Sequence, residues 1–192
     1  MRKVSPVLIV LGVIILLVIM VFGSYFKHYN SFITLEEEID GKWAEVENNL
    51  QRRADLIPTL VATVKGYARH EEEVFTRIAE ARSRLLSAGG GVNDKVEAAS
   101  EFESALGRLM VLGEAYPELK ADQRFAELQD ELAGTENRLA VARMRYNEAV
   151  KVYNARIRRF PGRIVAGMMD LEKRAYFEAT EAAREVPQVN FE

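Results

Sequence analysis

Residues 119–160 read LKADQRFAELQDELAGTENRLAVARMRYNEAVKVYNARIRRF, and this run decides the fold class. Its apolar side chains fall at Phe125, Leu128, Leu132, Leu139, Ala142, Tyr146, Val150, Tyr153, Ile157 and Phe160. Steps of mostly three and four are the mark of a helix that buries one stripe against neighbours. Glu127, Asp130, Glu131, Lys151 and Arg158 take the other face. A helix over 119–159 would be about 60 Å long, which suits a long bundle or coiled coil better than a compact globule. No alternating strand pattern competes with it. The expected class is all-α: an N-terminal transmembrane helix followed by a long-helix antiparallel bundle.

Working outward, punctuation divides the chain. Residues 87–94 (SAGGGVND) form a loop in which three glycines end one helix and Asn93 or Asp94 is placed to cap the next. Tyr116-Pro117 is a second break, since the residue before proline is pushed out of helical geometry. Phe160-Pro161-Gly162 is a third, with Arg158 and Arg159 in the preceding turn, where cations complement the helix dipole. The expected helical stretches are 30–86, 94–115, 119–159 and 163–184, with an extended tail from Pro187. Pro58 is compatible with a kink in one long helix and with the first turn of a new helix capped by Asp55. The sequence leaves both open.

The N-terminal run 7–26, VLIVLGVIILLVIMVFGSYF, holds twenty residues without a charge. As a helix it matches the roughly 30 Å hydrocarbon layer of a bilayer. Arg2 and Lys3 precede it, Lys27 and His28 follow, and Tyr25 and Phe26 stand where interfacial aromatic anchors belong. A cleaved signal peptide would have a shorter apolar region and a small-x-small site, and a core helix would need an apolar partner that nothing else in the chain supplies. The reading is a retained anchor that puts residues 7–26 in contact with a lipid bilayer. The expected organisation is a flank over 1–6, the span over 7–26, a bundle over 28–186 and the tail over 187–192. Arg2 and Lys3 adjoin the span more tightly than Lys27 and Lys42 do, which favours the body outside the cytoplasm.

Composition excludes most chemistry. With no cysteine among 192 residues, there are no disulfides, thiolate metal sites or cysteine nucleophiles. All 29 acidic residues lie beyond Lys27, with 23 basic ones, so this part carries a net charge of −6. No basic block or basic-aromatic interleaving appears, and nucleic-acid binding is not expected. Gly89-Gly90-Gly91 lacks the Lys-Ser/Thr of a phosphate loop. His70-Glu71 is half a metal motif, but only His28 adds a second imidazole, so no metal or other cofactor is expected.

Four runs carry a family resemblance: Tyr29-Asn30 after the apolar stretch; Trp43 with 51–61 (QRRADLIPTLV) and 64–71 (VKGYARHE); 114–121 (EAYPELKA); and 136–143 (ENRLAVAR) with Tyr146-Asn147, Tyr153-Asn154 and Phe160-Pro161. Together with the anchor these runs resemble the LemA family across nearly the whole chain. One departure is Met169-Asp170-Leu171 before Tyr176-Phe177-Glu178, where the family usually has a Gly-Phe pair. The resemblance implies a single-pass bacterial membrane protein with a helical-bundle domain and no established enzymatic activity. It thereby places the protein in the inner (cytoplasmic) membrane.

The candidate structural or interaction residues are Trp43, Arg52, Arg53, Asp55, Pro58, Glu136, Asn137, Arg138, Arg143 and Asn147. Caps and surface pairs account for Arg52, Arg53 and Asp55 without a ligand. Glu136, Arg143 and Asn147 can share a helix face and form a partly buried network that fixes register. Trp43 and the Tyr-Asn pairs read as packing elements. Phe32, Leu35 and Ile39 lie on an apolar stripe directly after the anchor and are the candidate face for a homo-oligomer. The functional expectation is a structural or scaffolding protein acting through self-association or envelope protein partners. The alternative is an accessory or sensor module that binds a small ligand or protein and modulates another membrane machine.

Overall fold

The computed structural model describes residues 6–178. The tail after Pro187, residues 1–5 of the flank and the end of the expected last helix lie outside the described residues. The order is α1 (Pro6–Lys65), α2 (Glu72–Ser87), α3 (Val92–Ala115), α4 (Pro117–Lys120), α5 (Gln123–Arg156) and α6 (Gly162–Met168), with no strand among the described residues. The class is all-α.

The boundaries differ from the expected ones at several points, and the 119–159 stretch becomes α4 and an α5 that runs only over Gln123–Arg156; the choice left open at Pro58 is also decided. Pro58 lies inside α1, exposed, so no helix begins there. Asp55 accordingly caps nothing: its carboxylate accepts from Gln51 Nε2 at 2.9 Å, one turn back. The break in 30–86 falls instead at 66–71. Tyr67 Oη donates to Asp122 at 2.8 Å and Tyr116 Oη to Glu71 at 3.1 Å, so partners distant in sequence hold this turn. Asn93 and Asp94 already lie in the first turn of α3, which begins after Gly91 with no side-chain cap. Gly91 has φ +119°, a conformation that favours glycine. Finally, α6 stops at Met168, and residues 171–178 have no helical structure. Their backbone groups find side-chain partners instead, as described below.

Two compact units result, each taking parts of α1 and α5. The first comprises residues 1–40 and 149–174. Here α1 and α5 run antiparallel. Tyr153 Oη reaches Glu36 at 3.5 Å, Arg156 Nη2 donates to Ser31 Oγ at 3.2 Å, and the Phe32 and Tyr153 rings meet edge-to-face at 6.3 Å. Phe32, Ile39, Val150, Tyr153, Ile157, Val165 and Ala166 are buried. A Cβ on Gly162 would stand 2.8 Å from the Arg156 carbonyl and 3.5 Å from the Phe32 ring, so this close approach needs glycine.

The burial overturns one expectation. Phe32 and Ile39 are fully buried and Leu35 half-buried, so they do not form an open face for a second copy. The stripe faces its own chain because the returning end of α5 covers it. The seam residues of α5 are otherwise buried as their spacing implies, with Leu128 half-buried. The exception is Phe160, which is 82% exposed.

The second unit comprises residues 41–148 and the segment from Ala175. Val46, Leu50, Ile57, Leu60 and Val64 of α1 face inward, as do Phe75, Ile78 and Leu85 of α2, Phe102, Leu106 and Leu109 of α3, and Phe125, Leu132, Leu139 and Tyr146 of α5. The spacings of three, four and seven are those of a helical bundle core. Asp122 Oδ1 accepts from the Phe125 backbone N–H at 2.9 Å, a cap for α5. That bond, with the Tyr67 phenol, holds the Asp122 carboxyl below the usual range. Arg82 Nε, donating to the Ala54 carbonyl at 2.8 Å, ties α2 to α1.

Candidate functional site

Four charged side chains, one buried and three half-buried, gather in the second unit. Arg53 of α1, only 7% exposed, makes an ion pair with Glu103 of α3 at 2.8 Å and a second with Glu136 of α5. Arg143 of α5 stands one heptad beyond Glu136, half-buried, with its guanidinium 4.5 Å from the centre of the Phe177 ring. Burial pushes the Arg53 pKa down, against the opposing influence of Glu103. Burial likewise pushes the Arg143 pKa down, again opposed by Glu103. The Glu103 carboxyl is pushed up by burial, and the two guanidinium groups pull it back. Two cations and two anions thus balance in a place where an isolated charge would be costly. Arg53 Nε and Arg143 Nε are buried without a hydrogen-bond partner among the described residues.

Around Phe177 the sequence-predicted residues Trp43, Arg143 and Asn147 meet. The Trp43 ring lies 5.1 Å from Tyr146 and 6.2 Å from Phe177. Asn147 Nδ2 donates to the Phe177 carbonyl at 2.9 Å, and its Oδ1 accepts the Phe177 N–H at 2.8 Å. Tyr146 Oη donates to the Ala175 carbonyl at 2.8 Å. In the first unit the next Tyr-Asn pair repeats the device: Asn154 Nδ2 donates to the Arg174 carbonyl at 2.9 Å and Oδ1 accepts the Arg174 N–H at 3.0 Å. Each asparagine supplies one non-helical residue with both bonds that a strand partner would give. This is why 171–178 can lie against helices without being helical.

Asn147→Ala is therefore expected to lower stability by about 1–3 kcal/mol, because two backbone groups lose partners. Hydrogen exchange should show faster exchange at the Phe177 amide, with the α5 core amides less affected.

The remaining predicted residues are elsewhere. Arg52 is exposed and donates to Glu131 at 3.3 Å, a surface pair of small energetic consequence. Asp55 stands 3.6 Å from Arg82, and Pro58 is exposed on α1. Asn137 and Arg138 point to solvent and do not enter the network. Glu71, beside His70, takes the Tyr116 phenol; among the described residues no group of three or more His, Cys, Asp or Glu gathers in a metal-binding arrangement.

Sequence reasoning missed Glu103. Its signal was present, since Glu103 sits on the stripe Ala99, Phe102, Leu106 and Leu109, a charge at the margin of an apolar face. The cluster holds no nucleophile, and both its acids are tied to Arg53. Its ion pairs join α1 to α3 and α5.

A family model described as the LemA family matches residues 42–191, most of the chain and all of the sites just described. The chain belongs to the LemA family. Magnetosome protein MamQ 2 of Paramagnetospirillum magneticum is 26% identical over 203 residues, covering 93% of this chain and 75% of its own length. Magnetosome protein MamQ of Magnetospirillum gryphiswaldense is 25% identical over the same shares. Protein LemA of Metamycoplasma hominis is 26% identical over 174 residues, 88% of this chain and 80% of its own. The RRADLIP and ENRLAVAR runs of the LemA resemblance thus supply the two helices that share Arg53, Glu136 and Arg143.

Proposed function

We propose that this LemA-family protein is a non-catalytic, membrane-tethered helical bundle that acts as a scaffold in a bacterial inner membrane, through self-association or envelope partners. The observation that carries the reading is the start of α1. It is one helix with a run long and apolar enough to cross a membrane, and from Val10 to Phe22 its large apolar side chains are about half to two-thirds exposed. Leaving that much apolar surface in water opposes solubility, whereas a bilayer covers it. Arg53, Glu136, Asn147 and Asn154 support the non-catalytic part, because they are used in ion pairs and backbone clamps. Anchors in one membrane raise the effective concentration of copies, so weak lateral contacts become populated.

A second reading is favoured by the groove of about 420 Å³ between α2 and α3, where Arg77, Arg84 and Arg108 stand with Glu80 and Glu101. In that reading the protein is an accessory module that takes an acidic ligand or partner.

The test is the state of the full chain in its membrane. The protein is expected to resist carbonate extraction and to retain its apolar run. Single cysteines at the exposed Tyr29 and Ile33 are expected to crosslink between copies at native abundance. Carbonate release, or an N-terminus near Lys27, would sink the anchor. Monomers at every position would sink self-association.

A further inference from the structure

We propose that the hairpin tip formed by the end of α5 and α6 is a second membrane contact, dipping into the headgroup layer of the bilayer that holds the anchor. The proposal rests on the anchor reading and adds a distinct surface to it. All of its residues lie in the first unit.

The level of the tip follows from the helices. Arg156 donates to Ser31, five residues past the last residue of the apolar run, or about 8 Å along an upright helix. The interfacial layer on each side of a bilayer is about 5–8 Å thick. Since α5 runs antiparallel to α1 here, the turn after Arg156 carries Arg158, Arg159 and Phe160 further toward the membrane. Gly162 then returns the chain beside Phe32.

The side chains fit that place. Phe160, Ile164 and Met168, spaced by four, are 82%, 54% and 70% exposed, while Gly162, Val165 and Ala166 face the core. Scattered exposed apolar groups are ordinary, but three large ones within nine residues on the tip nearest an anchor are not. Arg158, Arg159 and Arg163 are exposed around it, and none forms an ion pair among the described residues. In a body of net charge −6, this gathers basic groups where anionic headgroups would stand. An apolar wedge rimmed by arginines is the pattern of an interfacial element. Each arginine near an anionic surface favours docking by about fivefold.

The chain has no native cysteine, so single cysteines carry an environment-sensitive fluorophore without competing thiols. Three full-length variants, Phe160→Cys, Leu16→Cys and Asn48→Cys, are labelled and placed at low density in vesicles of phosphatidylcholine and phosphatidylglycerol containing spin-labelled phosphatidylcholine. All three positions are exposed, so folding should be retained, and circular dichroism checks it. At an insertion depth of about 5–10 Å the probe at 160 should shift to the blue and lose about half its emission. The probe at 16 should be quenched and that at 48 should not. Reversing Arg158, Arg159 and Arg163 to Glu should reduce quenching at 160 and leave 16 unchanged. An unquenched 160 beside a quenched 16 would overturn the tip contact while the anchor stands; loss of quenching at both would overturn the anchor as well. A blue shift at 160 without quenching means that protein covers the tip, a second copy for instance, and also overturns the proposal.

Discussion

Leu139→Asp is expected to abolish cooperative thermal unfolding. Leu139 is fully buried in the α5 seam of the second unit. Removing its side chain forfeits about 2–5 kcal/mol through lost burial and the cavity left behind. A carboxylate there adds a desolvation cost of several kcal/mol without a dedicated partner. The guanidinium of Arg143, one turn away, already lies over the Phe177 ring. The total approaches or exceeds the whole stability of a typical domain, about 5–15 kcal/mol. Circular dichroism should show a broad, non-cooperative decline, with Leu139→Ala melting cooperatively at a reduced temperature. A Leu139→Asp protein that melts within a few degrees of the parent would show that the seam is elsewhere.

Arg53→Met is expected to cost about 3–5 kcal/mol, the loss that follows when one partner of a buried ion pair is removed. Its side chain is nearly isovolumetric and apolar, so the penalty comes from the charge left behind. Glu103, whose carboxyl burial already pushes up, loses its closest cation. Two consequences distinguish this from a packing defect. Adding Glu103→Gln should recover part of the loss, because the stranded carboxylate is gone. Lowering the pH should also narrow the gap between parent and Arg53→Met. The proton that neutralises Glu103 binds more tightly in the folded variant than in the unfolded chain, so folding gains relative stability as pH falls through that raised pKa. Chemical denaturation at neutral and acidic pH reads both. A double variant as unstable as the single one would locate the cost outside the ion pair.

Much of the fold was legible because helical burial leaves a periodic trace. The stripe from Phe125 to Ile157 identified the long helix and nearly all of its inward positions. The glycine run at 89–91, Pro117 and Pro161 marked three of the breaks, since each limits what the backbone can do locally. Glu136 and Arg143 were recognisable as polar residues beside an apolar stripe, and the Tyr-Asn pairs as packing elements; Arg53 read as a surface partner of glutamates, and its burial was not legible. The break at 66–71 was not legible, because phenols and carboxylates about 45–55 residues apart fix it. Glu103 was passed over although it borders the apolar stripe, because a carboxylate at a stripe margin is also common on solvated helices and its role shows only once Arg53 is brought against it.

The sequence by itself determined that this protein is all-helical, that its first twenty apolar residues form a stretch fit to cross a membrane, and that residues 42–191 belong to the LemA family. Those are local properties, set by hydropathy, period and motif. Tertiary structure decided which stripes are spent inside the molecule. Phe32 and Ile39 have the same spacing as an oligomer face, yet the returning end of α5 covers them. Phe160 continues the buried stripe in sequence, yet the chain turns at Pro161 and leaves it uncovered by its own fold. Periodicity shows that a side chain needs cover; only the folded chain shows which surface supplies it.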